Sequence, residues 1–397
     1  MKLKIGVFFS SDIKGGGAYQ QAVKTIDILE KIKNENAHFD FIYFTTKKNI
    51  EAYKKICLNL EIININLFDK LILIIGKFLR VFKKNSKLFK NKFEIYFKKL
   101  DIDLVYFIDT NILSYFMEDI NFIITVWDMC HRDYIEFPEL RYKFDITEIL
   151  YTYVLKKAIA IIVETDTTKK YMMQRYGIDN RRIYVSKFVP TLLSTKEIKI
   201  LDVKGQFQIK NDYIFYPAQL IPEKNHVYIL DAIKILKEQY KYIIDVVFTG
   251  SDFGNLDYIL NYSDKIGIKE QIHYLGFVEN KVIPNLYKQS LALVMPTYGG
   301  YSNLPPIEAF SLEVPVFYSD LEGLREQVSD AAILINLNDP GDLAIKLIKL
   351  IKGEISKDKL IENGKKILNN WTDKDFMNVI VSILNSYSIK LRCWKNE

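Results

Sequence analysis

Cysteine is scarce in this chain. Three stand among 397 residues (Cys57, Cys130 and Cys393), an odd number without close spacing. That pattern excludes a disulfide framework and a zinc knuckle, and it fits a reducing compartment. Proline and glycine are also sparse, at 10 and 17, which excludes collagen-like and Pro/Gly-rich disordered classes. No apolar run approaches the roughly 20 residues that cross a bilayer. The run after Met1-Lys2 is too short for a signal peptide and reads as a first strand. The expected location is the cytoplasm, with a peripheral place on the inner membrane face left open. Charge of one sign is small too: with a net +6, where the charge lies matters more than its sum.

What the chain has is a globular composition, 49% hydrophobic and 26% charged. Its length suits two domains of roughly 150–200 residues each. Short apolar runs alternate with longer amphipathic segments, the pattern of parallel sheets with crossover helices. Strands are expected at 3–10, 39–45, 61–67, 103–108, 122–126, 159–164 and 182–185. A polar, Lys- and Thr-rich linker is expected over 191–212. Strands then resume at 213–216, 243–248, 272–275, 291–295, 314–319 and 332–335.

The most informative stretch runs from Met295 to Glu326. A buried-strand pattern, Leu291 to Met295, stops at Pro296; a loop with Gly299, Gly300, Ser302 and Asn303 follows, and a helix opens near Pro305-Pro306. Strand, small-residue loop and helix start together make an anion site, because first-turn N–H groups point outward at the positive end of the dipole. Glu308 stands close enough to accept hydroxyls of whatever carries the anion. Phosphate held by backbone beside a carboxylate that reads a sugar is how nucleotides are bound.

Other stretches carry weaker signals. Gly15, Gly16 and Gly17 follow the first strand and permit close backbone approach to a ligand, though the spacing is not that of a dinucleotide fingerprint. Asp128, His131 and Arg132 follow a strand end at Trp127, where open α/β sheets place ligands. Asp101-Ile102-Asp103 matches a three-residue metal string, but a turn before a strand explains it as well. A metal trio of Asp128, His131 and Asp133 has nothing around it resembling a dedicated site. Residues 71–99 hold nine lysines and arginines against Glu94, interleaved with Phe78, Phe82, Phe89, Phe93 and Phe97. They read either as a sheet-covering helix with a solvated basic face or as a surface for anionic lipid headgroups. One basic patch on a balanced chain speaks against nucleic acid.

The 295–326 block resembles the donor-binding signature of the family 4 retaining glycosyltransferases, which share the GT-B fold of two Rossmann-like domains. Retained are Leu304-Pro-Pro-Ile-Glu308-Ala, Val314-Pro-Val, Ser319-Asp320 and Gly323-Leu-Arg-Glu326. The signature's first glutamate is missing: Gly299 or Gly300 stands in its place, in a loop one residue longer. The family usually has an arginine and a lysine on the donor diphosphate in the stretch Tyr216 to His226; here Gln219 replaces the arginine and Lys224-Asn225 is kept. An ammonium there would offset departing diphosphate charge; either Arg325 or His131 compensates for Gln219, or the diphosphate is held mainly by backbone and Lys224. Gly250 falls in a glycine turn that lies near the nucleotide in the family.

The resemblance implies an α/β protein with parallel sheets facing a central cleft. An acceptor-binding domain would span 1–205 and a nucleotide-sugar domain 206–375, with a C-terminal helix over 376–397 crossing back onto the first. It implies a hexosyltransferase using a nucleotide-diphosphate sugar, with a mild preference for GDP-mannose, and a lipid-linked or polysaccharide acceptor. Neither cofactor nor metal would be required. Lys224, His131 and Asp128 would serve the reaction; Gly16, Gly17, Gln219, Lys224, Gly250, Ser302, Asn303, Leu304 and Glu308 would hold the donor. The absent glutamate and Gln219 also fit a non-catalytic nucleotide-sugar-binding scaffold, and an epimerase on the same architecture is a further alternative.

Overall fold

The computed structural model describes residues 2–12, 16–54, 56–57, 59–63, 92–190 and 199–395. The chain folds into two compact units. The first comprises Met1–Trp127, Asp145–Ser186 and Asp373–Glu397; the second comprises Asp128–Phe144 and Lys187–Thr372.

Seven parallel strands are described in the first unit: β1 (Leu3–Phe8), β2 (Phe39–Thr46), β3 (Leu60–Ile63), β4 (Leu104–Phe107), β5 (Asn121–Thr125), β6 (Ala160–Val163) and β7 (Ile183–Val185). Their order is β3-β2-β1-β4-β5-β6-β7. Every residue of β4 and β6 is buried, as expected where helices cover both faces of a parallel sheet. The order reverses between β1 and β4, and the carboxyl ends there carry a polar cluster. Asp109 accepts from the Ser10 amide at 3.2 Å and the Ser11 hydroxyl at 3.0 Å, and Asn111 Nδ2 donates to Ser10 Oγ at 2.7 Å. Burial raises the Asp109 carboxyl above the usual range despite those donors.

The described end of the basic region and the Asp-x-Asp string both take the structural one of their two readings. Phe93 and Phe97, on the helix Lys92–Lys99, are buried against Phe8 and Phe44. Glu94, 2% exposed, accepts the amides of Glu118, Asp119 and Ile120 at 2.8, 2.7 and 3.1 Å. These residues belong to the core and cannot face lipid; residues 71–91 of the proposed membrane surface lie outside the described residues. The Asp-x-Asp string is structural as well. Asp101 holds the turn at φ +56°, and Asp103 binds the Lys4 amide at 3.1 Å and pairs with Lys395.

The helix Asp373–Leu391 packs on the helix Gly17–Glu35 of the same unit. Phe376, Ile380, Ile383, Leu384, Tyr387 and Leu391 form its buried stripe, at the three-and-four spacing of an amphipathic helix. Tyr387 donates to the Asp103 carbonyl at 2.9 Å. At the other end, Asp373 bridges Lys24 and Lys31 at 2.9 and 2.7 Å, and the Lys24 side chain is only 5% exposed. Burial raises the Asp373 carboxyl, but hydrogen bonds from Lys31 and Lys24 outweigh it and hold the group below the usual range. A depressed carboxylate contributes stability above its unfolded pKa, about 3.9, and loses it as pH falls through the folded value. Asp373→Asn is therefore expected to cost about 1 kcal/mol at pH 7, because it leaves the buried Lys24 ammonium with Asp27 alone, at 3.6 Å. The difference from wild type in urea midpoint should shrink steadily below about pH 4; a difference independent of pH would refute the ionic account.

The second unit holds six parallel strands, β8 (Tyr213–Pro217), β9 (Asp245–Thr249), β10 (Ile272–Tyr274), β11 (Ala292–Met295), β12 (Val316–Ser319) and β13 (Ile333–Ile335), in the order β10-β9-β8-β11-β12-β13. Its reversal falls between β8 and β11, and the carboxyl ends there gather the residues described next. The unit begins before residue 206. Leu201 N donates to Asn285 Oδ1 at 3.0 Å and Gln289 Nε2 to the Leu201 carbonyl at 2.6 Å, which ties part of the expected linker to this sheet's helices. Residues 191–198 of that linker lie outside the described residues. Among the described residues no helix is long and apolar enough to cross a membrane.

Candidate functional site

β11 ends at Met295, Pro296 cannot extend the ladder, and the loop 296–303 leads into the helix Leu304–Ser311. The loop is pinned from several sides. Ser319 Oγ, at the end of β12, donates to the Thr297 carbonyl at 2.7 Å; Tyr298 N donates to the Glu223 carbonyl at 2.9 Å; Gly299 N donates to Thr297 Oγ1 at 3.1 Å. Gly300, at φ +91°, adopts a conformation that favours glycine and donates its amide to Cys130 Sγ at 2.8 Å.

The helix start offers fewer donors than its residue types promised. Pro305 and Pro306 occupy its first turn and have no N–H. Asn303 donates its amide to Gln327 Oε1 at 2.9 Å and its side-chain nitrogen to Tyr318 Oη at 2.7 Å. Among the described residues that leaves the Leu304 N–H in the first turn. Glu308 is 9% exposed and accepts the Tyr287 hydroxyl at 3.1 Å. Tyr287, which no sequence pattern singled out, fixes where that carboxylate stands.

Positive charge comes from below the loop. Pro222–Lys224 makes one tight helical turn, Asn225 takes the left-handed conformation at φ +54°, and the helix His226–Gln239 begins. This turn carries the Lys224 ammonium to 2.9 Å from Glu223 Oε1 and 3.4 Å from Thr297 Oγ1, with the side chain 16% exposed. Burial by itself would lower the lysine pKa, but the Glu223 carboxylate overrides it and holds the ammonium above the ordinary value. It is charged at any physiological pH. His226, beside it, is 1% exposed between Tyr216 and Phe248. Neither ring nitrogen has a hydrogen-bond partner among the described residues, and burial drives its pKa down to about 3. It is a neutral packing group.

Residues 128–144 join this unit, not the first domain in which their place along the chain had put them. Glu223 N donates to Glu139 Oε1 at 2.8 Å, Tyr301 donates to Asp133, and Tyr134 and Phe137 pack on Tyr298 at ring separations of 5.7 and 5.4 Å. Asp128 accepts the Cys130 amide at 2.9 Å. Its carboxyl is raised by burial and further by the Glu223 charge, against opposing pulls from His131 and Lys224. His131 is 4% exposed with its ring 5.7 Å from Phe144.

The structure thus brings Lys224, Asp128 and the 297–304 loop to one end of the second sheet. Gln219 follows β8 at the same end, and Gly250 follows β9 with its amide on the Gly276 carbonyl at 2.9 Å. Arg325, a candidate to compensate for Gln219, has its guanidinium paired with Asp320 at an exposed position. Gly16 and Gly17 belong to the first unit, where Gly16 at φ +57° precedes the helix Gly17–Glu35. Sequence reasoning missed Glu223, Thr297 and Cys130, whose partners lie far along the chain. Among the described residues no group of three or more His, Cys, Asp or Glu side chains is arranged to hold a metal ion.

Residues 198–367 match the family described as Glycosyl transferases group 1. The chain is 23% identical over 203 residues to O-antigen chain mannosyltransferase B of Escherichia coli, covering 50% of this chain and 53% of that protein. It is 24% identical over 245 residues to O-antigen chain mannosyltransferase RfbU of Salmonella typhimurium, covering 57% and 64%. The alignments thus span between half and two thirds of the length of these relatives. The structure superposes on Anabaena HepE, solved in complex with UDP, with a TM-score of 0.73 at 15% identity, over 97% of this chain and 100% of that one. That likeness establishes the GT-B fold.

Proposed function

We propose, from the match of residues 198–367 to the glycosyl transferases group 1 family, that the chain is a retaining hexosyltransferase. It moves a sugar from a nucleotide-diphosphate donor to a lipid-linked or polysaccharide acceptor in cell-surface glycan assembly, at the cytoplasmic face of a membrane. The observation that carries the proposal is the Lys224 ammonium, charged although buried, held 3.4 Å from Thr297 at the reversal point of the second sheet.

Cleavage of the sugar–phosphate bond leaves negative charge on the diphosphate, and a fixed ammonium in a site of low dielectric stabilises it as it develops. Leu304 N–H and the loop at Ser302 and Asn303 add dipoles to that charge. Glu308, oriented by Tyr287, accepts the ribose hydroxyls. Gln219 and Gly250 border the nucleotide, Gly16 and Gly17 admit phosphate close to backbone, and His131 and Asp128 orient sugar or acceptor. Lysine and helix dipole supply the positive charge that a divalent cation supplies elsewhere, so transfer proceeds without added metal. No residue is given the role of covalent nucleophile. GDP-mannose is the favoured donor, on the stretch Pro217-Ala-Gln-Leu-Ile-Pro-Glu-Lys-Asn-His226 and on the names of the two O-antigen relatives.

The test is a nucleotide-sugar panel read by thermal shift, followed by transfer assays. A ligand that binds only the native state raises the melting temperature, by about 2.7 kcal/mol of stabilisation at a hundred times Kd. GDP-mannose is expected to give the largest shift and to be consumed only when acceptor is present. Alteration of the sugar without acceptor would instead favour an epimerase, and binding without turnover a scaffold.

A further inference from the structure

Gly299 has no side chain, and the space its Cβ would enter is filled from another part of the chain. A Cβ there would lie 2.8 Å from the carboxyl carbon and from both carboxylate oxygens of Glu223. Gly299 is one of the two glycines, with Gly300, that stand where the resembled signature has a glutamate. Glu223 is built into the position. Its amide is held by Glu139 at 2.8 Å, its carbonyl by Tyr298 at 2.9 Å, and the residue is 9% exposed.

The carboxylate has the Lys224 ammonium 2.9 Å away. That ammonium is the group proposed to receive the diphosphate. When phosphate takes it, Glu223 shares its counter-charge with a strong competitor and faces added negative charge at close range. A buried carboxylate in that position requires new donors. The hexose attached to the same diphosphate brings adjacent hydroxyls, and one carboxylate accepts from two of them. We propose that Glu223 reads the hydroxyls of the donor hexose, supplying from the turn before Lys224 the carboxylate that the Gly299 loop lacks. The inference rests on the nucleotide-sugar reading above and names the residue that selects the sugar.

Binding by the full chain of GDP against GDP-mannose, and of UDP against UDP-glucose, separates sugar reading from nucleotide grip. Glu223→Gln keeps the shape and removes the charge. It is expected to leave nucleoside-diphosphate affinity unchanged or up to threefold tighter, because Lys224 loses a competitor. The extra affinity contributed by the sugar should fall at least tenfold, and kcat/KM for transfer about a hundredfold. The paired exchange Glu223→Gly with Gly299→Glu should recover at least a tenth of wild-type transfer, since the incoming side chain enters the space vacated. Equal loss of affinity for the diphosphate and its sugar conjugate would overturn the inference, as would wild-type transfer by Glu223→Gln. Either result, with Lys224→Ala still inactive, leaves the transferase reading standing. A wild-type protein that binds neither sugar nucleotide more tightly than its diphosphate removes both.

Discussion

Lys224→Ala is expected to lower kcat/KM for sugar transfer by about a thousandfold or more, the scale of losing a preorganised charge-stabilising donor. The one remaining first-turn amide, Leu304 N–H, is a neutral dipole and cannot make up the loss of a full charge. Two of the relevant positions are proline, the Asn303 amide is on Gln327, and the Gly299 and Gly300 amides are on Thr297 and Cys130. Nor can Arg325, which is paired with Asp320. The variant also strands the Glu223 carboxylate, so stability should fall by about 1–3 kcal/mol. Lys224→Ala combined with Glu223→Gln is expected to regain most of that stability and none of the activity. Steady-state kinetics with thermal melts on the same samples separates the two effects. Transfer within tenfold of wild type by Lys224→Ala would refute the role given to the ammonium.

Gly250→Ala is expected to be the most destabilising single substitution considered. Its φ is +133°, and an added Cβ would stand 2.2 Å from the Ala218 carbonyl oxygen. The obstacle is backbone, and it cannot withdraw easily: Ala218 N is bonded to the Thr249 carbonyl at 2.9 Å, and Gly250 N to the Gly276 carbonyl at 2.9 Å. Relief requires parting β8 from β9 at the end of the sheet that carries Gln219. A loss of about 4 kcal/mol or more follows, a large share of the 5–15 kcal/mol that typically holds a protein folded. Gly254→Ala provides the comparison, with φ +101° but nothing within 4 Å of the added carbon; it should cost only the backbone term, about 1 kcal/mol. Equal urea midpoints for the two variants would show that crowding at Ala218 is not what requires glycine.

Much of the fold was legible because parallel strands covered on both faces are written as short apolar runs. All thirteen described strands fall within a few residues of such a run, from Leu3–Phe8 to Ile333–Ile335. The closing helix, which the resemblance put at 376–397, runs from Asp373 to Leu391. The ends of the units were less legible. Asp128–Phe144 continues directly from a first-unit strand, yet Cys130, Asp133 and Glu139 find their hydrogen-bond partners at Gly300, Tyr301 and Glu223.

The sequence alone determined the alternation of strands and helices, the glycine and proline punctuation after β11, and the presence of a lysine at a helix start, where the dipole disfavours it. These are local properties: periodicity, missing N–H groups and charge are readable within one turn or one strand. Tertiary structure decided which groups meet. It placed the Glu223 carboxylate in the space of the Gly299 side chain, Tyr287 on Glu308, and Gln327 on the Asn303 amide. The reason is directional. A side chain's reach depends on backbone angles such as the left-handed turn at Asn225 and on the stacking of elements more than seventy residues apart, and no one-dimensional pattern encodes those vectors.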